Sequence, residues 1–269
     1  MTIADGSRHN LRYIKETTFG TTPTGSQSSK IAMKPLRHTG TSLSLSKEQI
    51  ESEEIRDDRQ IAHHRHGNRA IGGDVNFELS HSTFDDFLEA ALCGTWAANV
   101  VKAGLARRSF TIERHHSDIN KYLRYTGCNI ATMSLSVAPN SMVTGSFGVV
   151  GKGFSTGTAA LTHSTNGTPT ATEPFDSFTG TIKEGGSPIA TITAIEFNLE
   201  NGMEAQYVVG SPETLEPSIG QSKVTGSVTA YFTDTTMLDK FVNETESSIE
   251  FTLRDAAGNS YLFSFPKVK

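Results

Sequence analysis

Cysteine and tryptophan are scarce in this chain, with two and one among 269 residues. Two cysteines, Cys93 and Cys128, make no disulfide framework and are expected to be reduced. Long apolar runs are missing as well. The most apolar stretch, Phe84 to Val101, is broken by Asp85, Asp86 and Glu89, so no membrane-spanning helix is expected. The start, Met1-Thr2-Ile3-Ala4-Asp5-Gly6, has no basic segment followed by an apolar core, so no secretory signal is read and a cytoplasmic compartment is expected. Positive charge is also short. Lys and Arg number 24 against 29 Asp and Glu, a net charge of −5. A protein that grips nucleic acid needs the opposite balance to neutralise phosphates.

Catalytic patterns are absent too. Gly145-Ser146-Phe147-Gly148 lies in a strand pattern with no helix after it, which excludes a nucleophile elbow. Gly151-Lys152-Gly153 has the wrong spacing for a phosphate loop. His63-His64-x-His66 and His115-His116 are the strongest metal-like signals. They fit no helical i, i+4 pair and have no Cys or carboxylate placed to complete a tetrahedron. No catalytic residue, cofactor or metal site is expected.

What the chain has is period-2 alternation, the mark of half-buried strands. Leu43 and Leu45 alternate with Ser42, Ser44 and Ser46, and Val75, Phe77 and Leu79 with Asp74, Asn76 and Glu78. Helical spacing appears briefly at Phe84, Phe87, Leu88, Ala91 and Leu92, over about 83–93, with Ser82 or Thr83 as cap and Gly94 as stop. The second half repeats the order. Ile195, Phe197 and Leu199 alternate, then Val228, Ala230 and Phe232. A helix follows at about 235–243, with Thr235 or Thr236 as cap and Met237, Leu238, Phe241 and Val242 apolar. Leu45 corresponds to Leu199 and Gly73 to Gly226 at a nearly constant offset, which predicts a tandem duplication. A hairpin follows each helix: Phe110 and Ile112 with Leu123 and Tyr125, then Ile249, Phe251 and Leu253 with Tyr261, Phe263 and Phe265.

The expected domains are 1–150, with a central hairpin at 129–150 shared by both halves, and 177–269. Between them 151–176 reads as a flexible Gly/Thr/Ser loop. The apolar stripe of each helix is expected to cover its own sheet. Two long connections, about 47–71 and 201–223, sit at matching positions and read as arms. In the first, acids lead (Glu51, Glu53, Glu54) and bases trail. Arg56, Asp57, Asp58 and Arg59 fill the middle, and His63, His64, Arg65 and Arg69 close it. Such an arm is a charge dipole suited to reaching a neighbouring subunit, and its weak periodicity suits ordering on assembly.

These residues carry a resemblance. The opening at Gly40-Thr41-Ser42-Leu43-Ser44-Leu45, the Glu53-Glu54-Ile55-Arg56 arm, the Gly72-Gly73-Asp74-Val75 strand and the Phe84–Leu92 helix resemble the tail tube proteins of long-tailed phages. Tyr125-Thr126-Gly127-Cys128, Val143–Phe147 and Asn201-Gly202 are similar as well. The resemblance runs from about residue 10 to the C-terminus.

It implies a mainly-β fold, a sandwich or barrel with one flanking helix per half, related to the tube protein of type VI secretion. It also implies stacked rings in a virion tail, with tail tip, tail terminator and tape measure proteins as partners and no membrane. Two tube-like halves per chain favour a trimeric ring with pseudo-sixfold symmetry over a hexamer. The conduit would pass DNA without binding it. The polar strand faces suit that role, because Ser42, Ser44, Asp74, Asn76, Glu78, Ser134, Ser136, Glu196, Asn198, Glu200 and Thr229 include no Lys or Arg. These are the expected lumen-facing residues. The alternatives are a secreted type VI-like tube and a carbohydrate-binding adhesin; a single Trp96 disfavours the latter.

Overall fold

A computed structural model of the chain describes residues 3–268 except 59, 178, 190, 233 and 234. The fold is mainly β. The first half supplies β1 (His9–Lys15), β2 (Ile31–Leu36), β3 (Gly40–Thr41), β4 (Ser44–Glu51), β5 (His64–Glu78), helix α1 (Asp85–Ala91) and β6 (Phe110–His116). The middle supplies β7 (Lys121–Val137), β8 (Thr144–Gly151), β9 (Gly153–Gly157) and β10 (Ser164–Asn166). Then come β11 (Thr181–Glu184), β12 (Ser187–Pro188), β13 (Ile192–Glu200), β14 (Lys223–Ala230), α2 (Thr236–Val242), β15 (Ser247–Arg254) and β16 (Ser260–Val268). Strand, connection, strand, helix and hairpin thus recur in one order, as β4–β5–α1–β6–β7 and β13–β14–α2–β15–β16.

The seventeen-residue β7 organises the larger sheet. Its first part pairs with β6 and β9, and its second part with β8 and β13. One lobe therefore runs β10-β2-β1-β6-β7 with β9 beyond. The other runs from β3 and β4 through β5, β8 and β7 to β13 and β14. The sheet stays open at its ends and closes into no barrel. The corner falls at Gly127, whose φ of +66° L side chains rarely adopt, and where a Cβ would meet the Lys152 Cβ at 2.7 Å. Glu16 pins it. Its carboxylate accepts from the Gly127 and Gly20 amides at 2.9 and 2.8 Å, and from Ser109 and Thr111 at 2.7 and 2.8 Å.

Helix α1 lies where the two lobes meet. Phe87 packs edge-on to Tyr13, stacks on Phe110 and touches Phe147, so one ring bridges both lobes. Burying such a ring is worth roughly 1.5–3 kcal/mol. The expected cap is not formed: Phe84 occupies the N-cap with no side-chain bond. Ser82 is left-handed (φ 61°), its hydroxyl meets His81, and Thr83 bonds Ser80 instead. At the other end Cys93 takes the left-handed position, and Gly94 donates to Glu89 O in a Schellman pattern. Both cysteines are buried and free.

The smaller sheet, β12-β11-β15-β16, covers β13 through contacts of Phe197 with Phe251, Phe263 and Phe265. Tyr261 donates to Asp85 and receives the Ser82 amide, tying this sheet to the start of α1.

Two expectations need correction here. Residues 151–176 are not a featureless loop: β9 pairs with β7 and β10 runs parallel to β2. Ladder bonds, not apolar periodicity, hold those strands. The described part of the second helix's stripe does not cover its own sheet either. Leu238 is 51% and Val242 69% exposed, and Lys240 tethers the helix to Glu184; the side chains of Met237 and Phe241 lie outside the description.

A charged belt completes the seat of α1. Asp86 meets Lys15 at 2.9 Å and Lys34 at 2.6 Å, while Glu89 meets Lys15 at 2.9 Å and Arg108 at 3.1 Å. Burial pushes both carboxyls up, but the lysine bonds outweigh it and hold both below their ordinary values. A depressed folded pKa gives stability that is full above the unfolded value and lost as pH falls through the folded one. Stability should therefore drop as pH falls below the ordinary Glu value of 4.5. In Glu89→Gln that drop should be shallower in urea titrations across the acid range; an unchanged pH profile would remove the belt from the account.

Candidate functional site

The residues expected on the polar strand faces come together on one sheet. Paired residues on neighbouring strands share a face, and alternate residues along a strand share it too. One row reads Asp74–Gly148–Thr132–Glu200–Lys223. The next reads Gly40–Asn76–Ser146–Ser134–Asn198–Thr225, and the third Glu78–Thr144–Ser136–Glu196–Ser227. Thr229, opposite Ala194, extends the pattern. Beneath this face Val75, Phe77, Met133, Leu135, Ile195 and Leu199 are buried. The sequence that alternates along one strand thus makes a polar field across five.

The field is concave, an open hollow of about 670 Å³ floored by Asn76, Ser134, Ser146, Glu196 and Asn198 among others. Ser134 and Ser146 share a hydroxyl bond at 2.8 Å, and Asn198 donates to Glu200 at 2.9 Å. At Gly148 a Cβ would sit 2.2 Å from the Thr132 hydroxyl, so only glycine lets Thr132 lie flat there. Ser42 stands apart from the rows. Its hydroxyl accepts from the Asp74 amide, while Ser44 follows opposite Gly72 with its side chain exposed. Among the described residues of these rows, Asp74, Glu78, Glu196 and Glu200 share the face with one cation, Lys223, which the strand-face reading missed because it lies at the extreme start of β14.

The first arm is a ribbon. Pairing of β4 and β5 continues to Glu51 opposite His64, and the Ser52 amide bonds His63 O just beyond it. The chain doubles back, so that Glu51 faces His64 while Lys47 faces Arg69. Glu51 lies 3.7 Å from His64, and Ile50 is opposite Arg65. Arg56 grips Asp58 through two bonds at 2.8 and 3.2 Å. Glu53, Glu54, Asp57 and His63 are exposed, Arg69 lies at the ribbon's base, and Arg59 is outside the described residues. Ile50, Ile55 and Ile61 are exposed as well, Ile55 at 98%. Attention to charge had passed over them.

The second arm is a packed strap with no strand of its own. Buried Asn201 donates to Ala91 O at 2.8 Å and Ile130 O at 3.3 Å, and its amide reaches Ala131. Gly202 turns with φ +57° against Gly220. Further on, the Arg69 amide bonds Pro212 O and the Tyr207 hydroxyl bonds Arg69 O, so the strap braces the base of the first arm.

At its margins the polar sheet has unpaired strands. Among the described residues β14 pairs with β13 alone, while β3 and β4 pair with β5 alone. Beside β14 stand exposed Val224, Val228, Tyr231 and Phe232, the last at 79%. Among the described residues no group of three His, Cys, Asp or Glu is arranged to hold a metal ion. Among the described residues no helix is long and apolar enough to cross a membrane.

A family model described as phage tail tube protein matches residues 6–268. The chain belongs to the phage tail tube family. No individually curated protein is similar enough to match it. Membership makes this a structural protein of the virion tail, one that builds a tube with its own copies and other tail proteins. A mainly-β tail tube subunit with exposed strand edges accords with that role.

Asn201→Ala should cost about 1–3 kcal/mol by stranding two buried carbonyls. It should also loosen the strap, seen as faster amide exchange at Arg69 and Gly220 with the rest of the sheet protected. Uniform exchange across the sheet would deny the strap a local role.

Proposed function

We propose that copies of this chain close into rings by edge pairing, β14 of one against the β3–β4 margin of the next, and that the concave polar face lines the lumen. The observation that carries this is the field of aligned Ser, Thr, Asn and acidic rows bounded by two unpaired edges. A basic wall would hold DNA, a dense polyanion. A face of hydroxyls, amides and carboxylates lets DNA slide during ejection. The repeated element order supports a duplicated tube unit, with one half ending near 150 and the other beginning near 177. On that reading three chains supply six units, giving a trimeric ring with pseudo-sixfold symmetry. The first ribbon, with its exposed isoleucines and charged tip, projects to the neighbouring ring, where charge sets register and the isoleucines supply burial. Tail tip, terminator and tape measure proteins complete the tail, which assembles in the host cytoplasm.

Native mass spectrometry with negative-stain microscopy tests the ring. Three chains around one channel are expected, and six chains per ring would overturn the trimer. Changing Glu78, Glu196 and Glu200 to Lys should leave tubes assembling yet slow genome release from phage carrying them. Unchanged release would move the lumen to another face.

A further inference from the structure

Away from the polar sheet, three histidines meet at the join of the two lobes. His9 opens β1, His38 follows β2 on the way to β3, and His116 ends β6 opposite His9. The His9 and His38 rings are 4.9 Å apart, and those of His9 and His116 5.7 Å. His9 Nδ1 lies 2.7 Å from Gly6 O and His38 Nδ1 3.2 Å from Leu36 O. A carbonyl can only accept, so both Nδ1 atoms carry hydrogens. In neutral rings that leaves both Nε2 atoms as lone pairs, yet they face each other at 3.0 Å. Two converging lone pairs are reconciled by a proton or a metal ion held between them.

We propose that His9 and His38 form a two-imidazole site for one divalent late transition-metal ion, such as Cu²⁺ or Ni²⁺. Nitrogens 3.0 Å apart and each about 2.1 Å from an ion subtend about 90° at it, the angle of neighbouring positions in tetragonal geometry. The Nδ1 bonds to backbone carbonyls are the outer contacts that fix a ligating histidine's tautomer. His116 adds an independent sign, since its Nδ1 is buried without a partner. The bound ion would clip β1 to the crossover from β2 to β3, where Arg114 already holds Thr41 and the Leu43 carbonyl.

The test is Cu²⁺ titration of the untagged full chain at neutral pH, read by electron paramagnetic resonance and calorimetry. One ion per chain with coupling to two imidazole nitrogens is expected, with a higher thermal midpoint. His38→Ala or His9→Ala should weaken binding about tenfold or more, while His64→Ala and His66→Ala on the exposed ribbon should not. Two single variants guard against one failing to fold, and circular dichroism checks each. Binding that survives both changes, or is lost with the ribbon histidines, overturns the site. So does no binding in the wild-type chain, which would leave a pair sharing only a proton.

Discussion

The corner at Gly127 is the constraint on which the rest of the molecule depends. A seventeen-residue strand would ordinarily run on as one ribbon. Here a single left-handed glycine, with Glu16 accepting four hydrogen bonds around it, breaks β7 into two pairing segments. One segment belongs to the lobe of β1, β2 and β6, the other to the polar-faced lobe. Without the corner α1 would have no cleft to fill, and Phe87 could not touch Phe110 and Phe147 together.

Around that corner apolar and ionic contacts divide the work. The aromatic cluster of Tyr13, Phe77, Phe84, Phe87, Phe110 and Phe147 supplies the burial. The belt of Asp86 and Glu89 with Lys15, Lys34 and Arg108 sets the helix's orientation, since an ion pair fixes geometry more than it adds stability. The second half has the same order of elements and a different economy of contacts. Its helix is held by Lys240 to Glu184 and leaves apolar side chains in water. A subunit of a tail tube has reason to keep such a surface open, because assembly buries what folding does not.

The two arms make the same point. Their positions in sequence match, but their structures do not. The first is a self-paired ribbon; the second is a strap anchored by Asn201. Backbone pairing decides between these outcomes, and it depends on which partner strand is within reach.

Much was legible beforehand. Alternation at Asp74–Leu79, Met133–Val137 and Glu196–Glu200 determined which side chains are buried and which are polar, because the period of a strand is local geometry. The i, i+3, i+4 spacing of Phe84, Phe87 and Leu88 determined α1 for the same reason, and the order of motifs was enough to indicate the tail tube family. The strands at 153–157 and 164–166 were not legible, since ladder bonds leave no mark on side-chain periodicity. Nor was the exposure of Leu238 and Val242 on α2, nor the facing Nε2 atoms of His9 and His38, twenty-nine residues apart. The sequence by itself determined the local faces and their order. Only the tertiary structure decided which faces meet, because that rests on one backbone corner and on the space each neighbour has already taken.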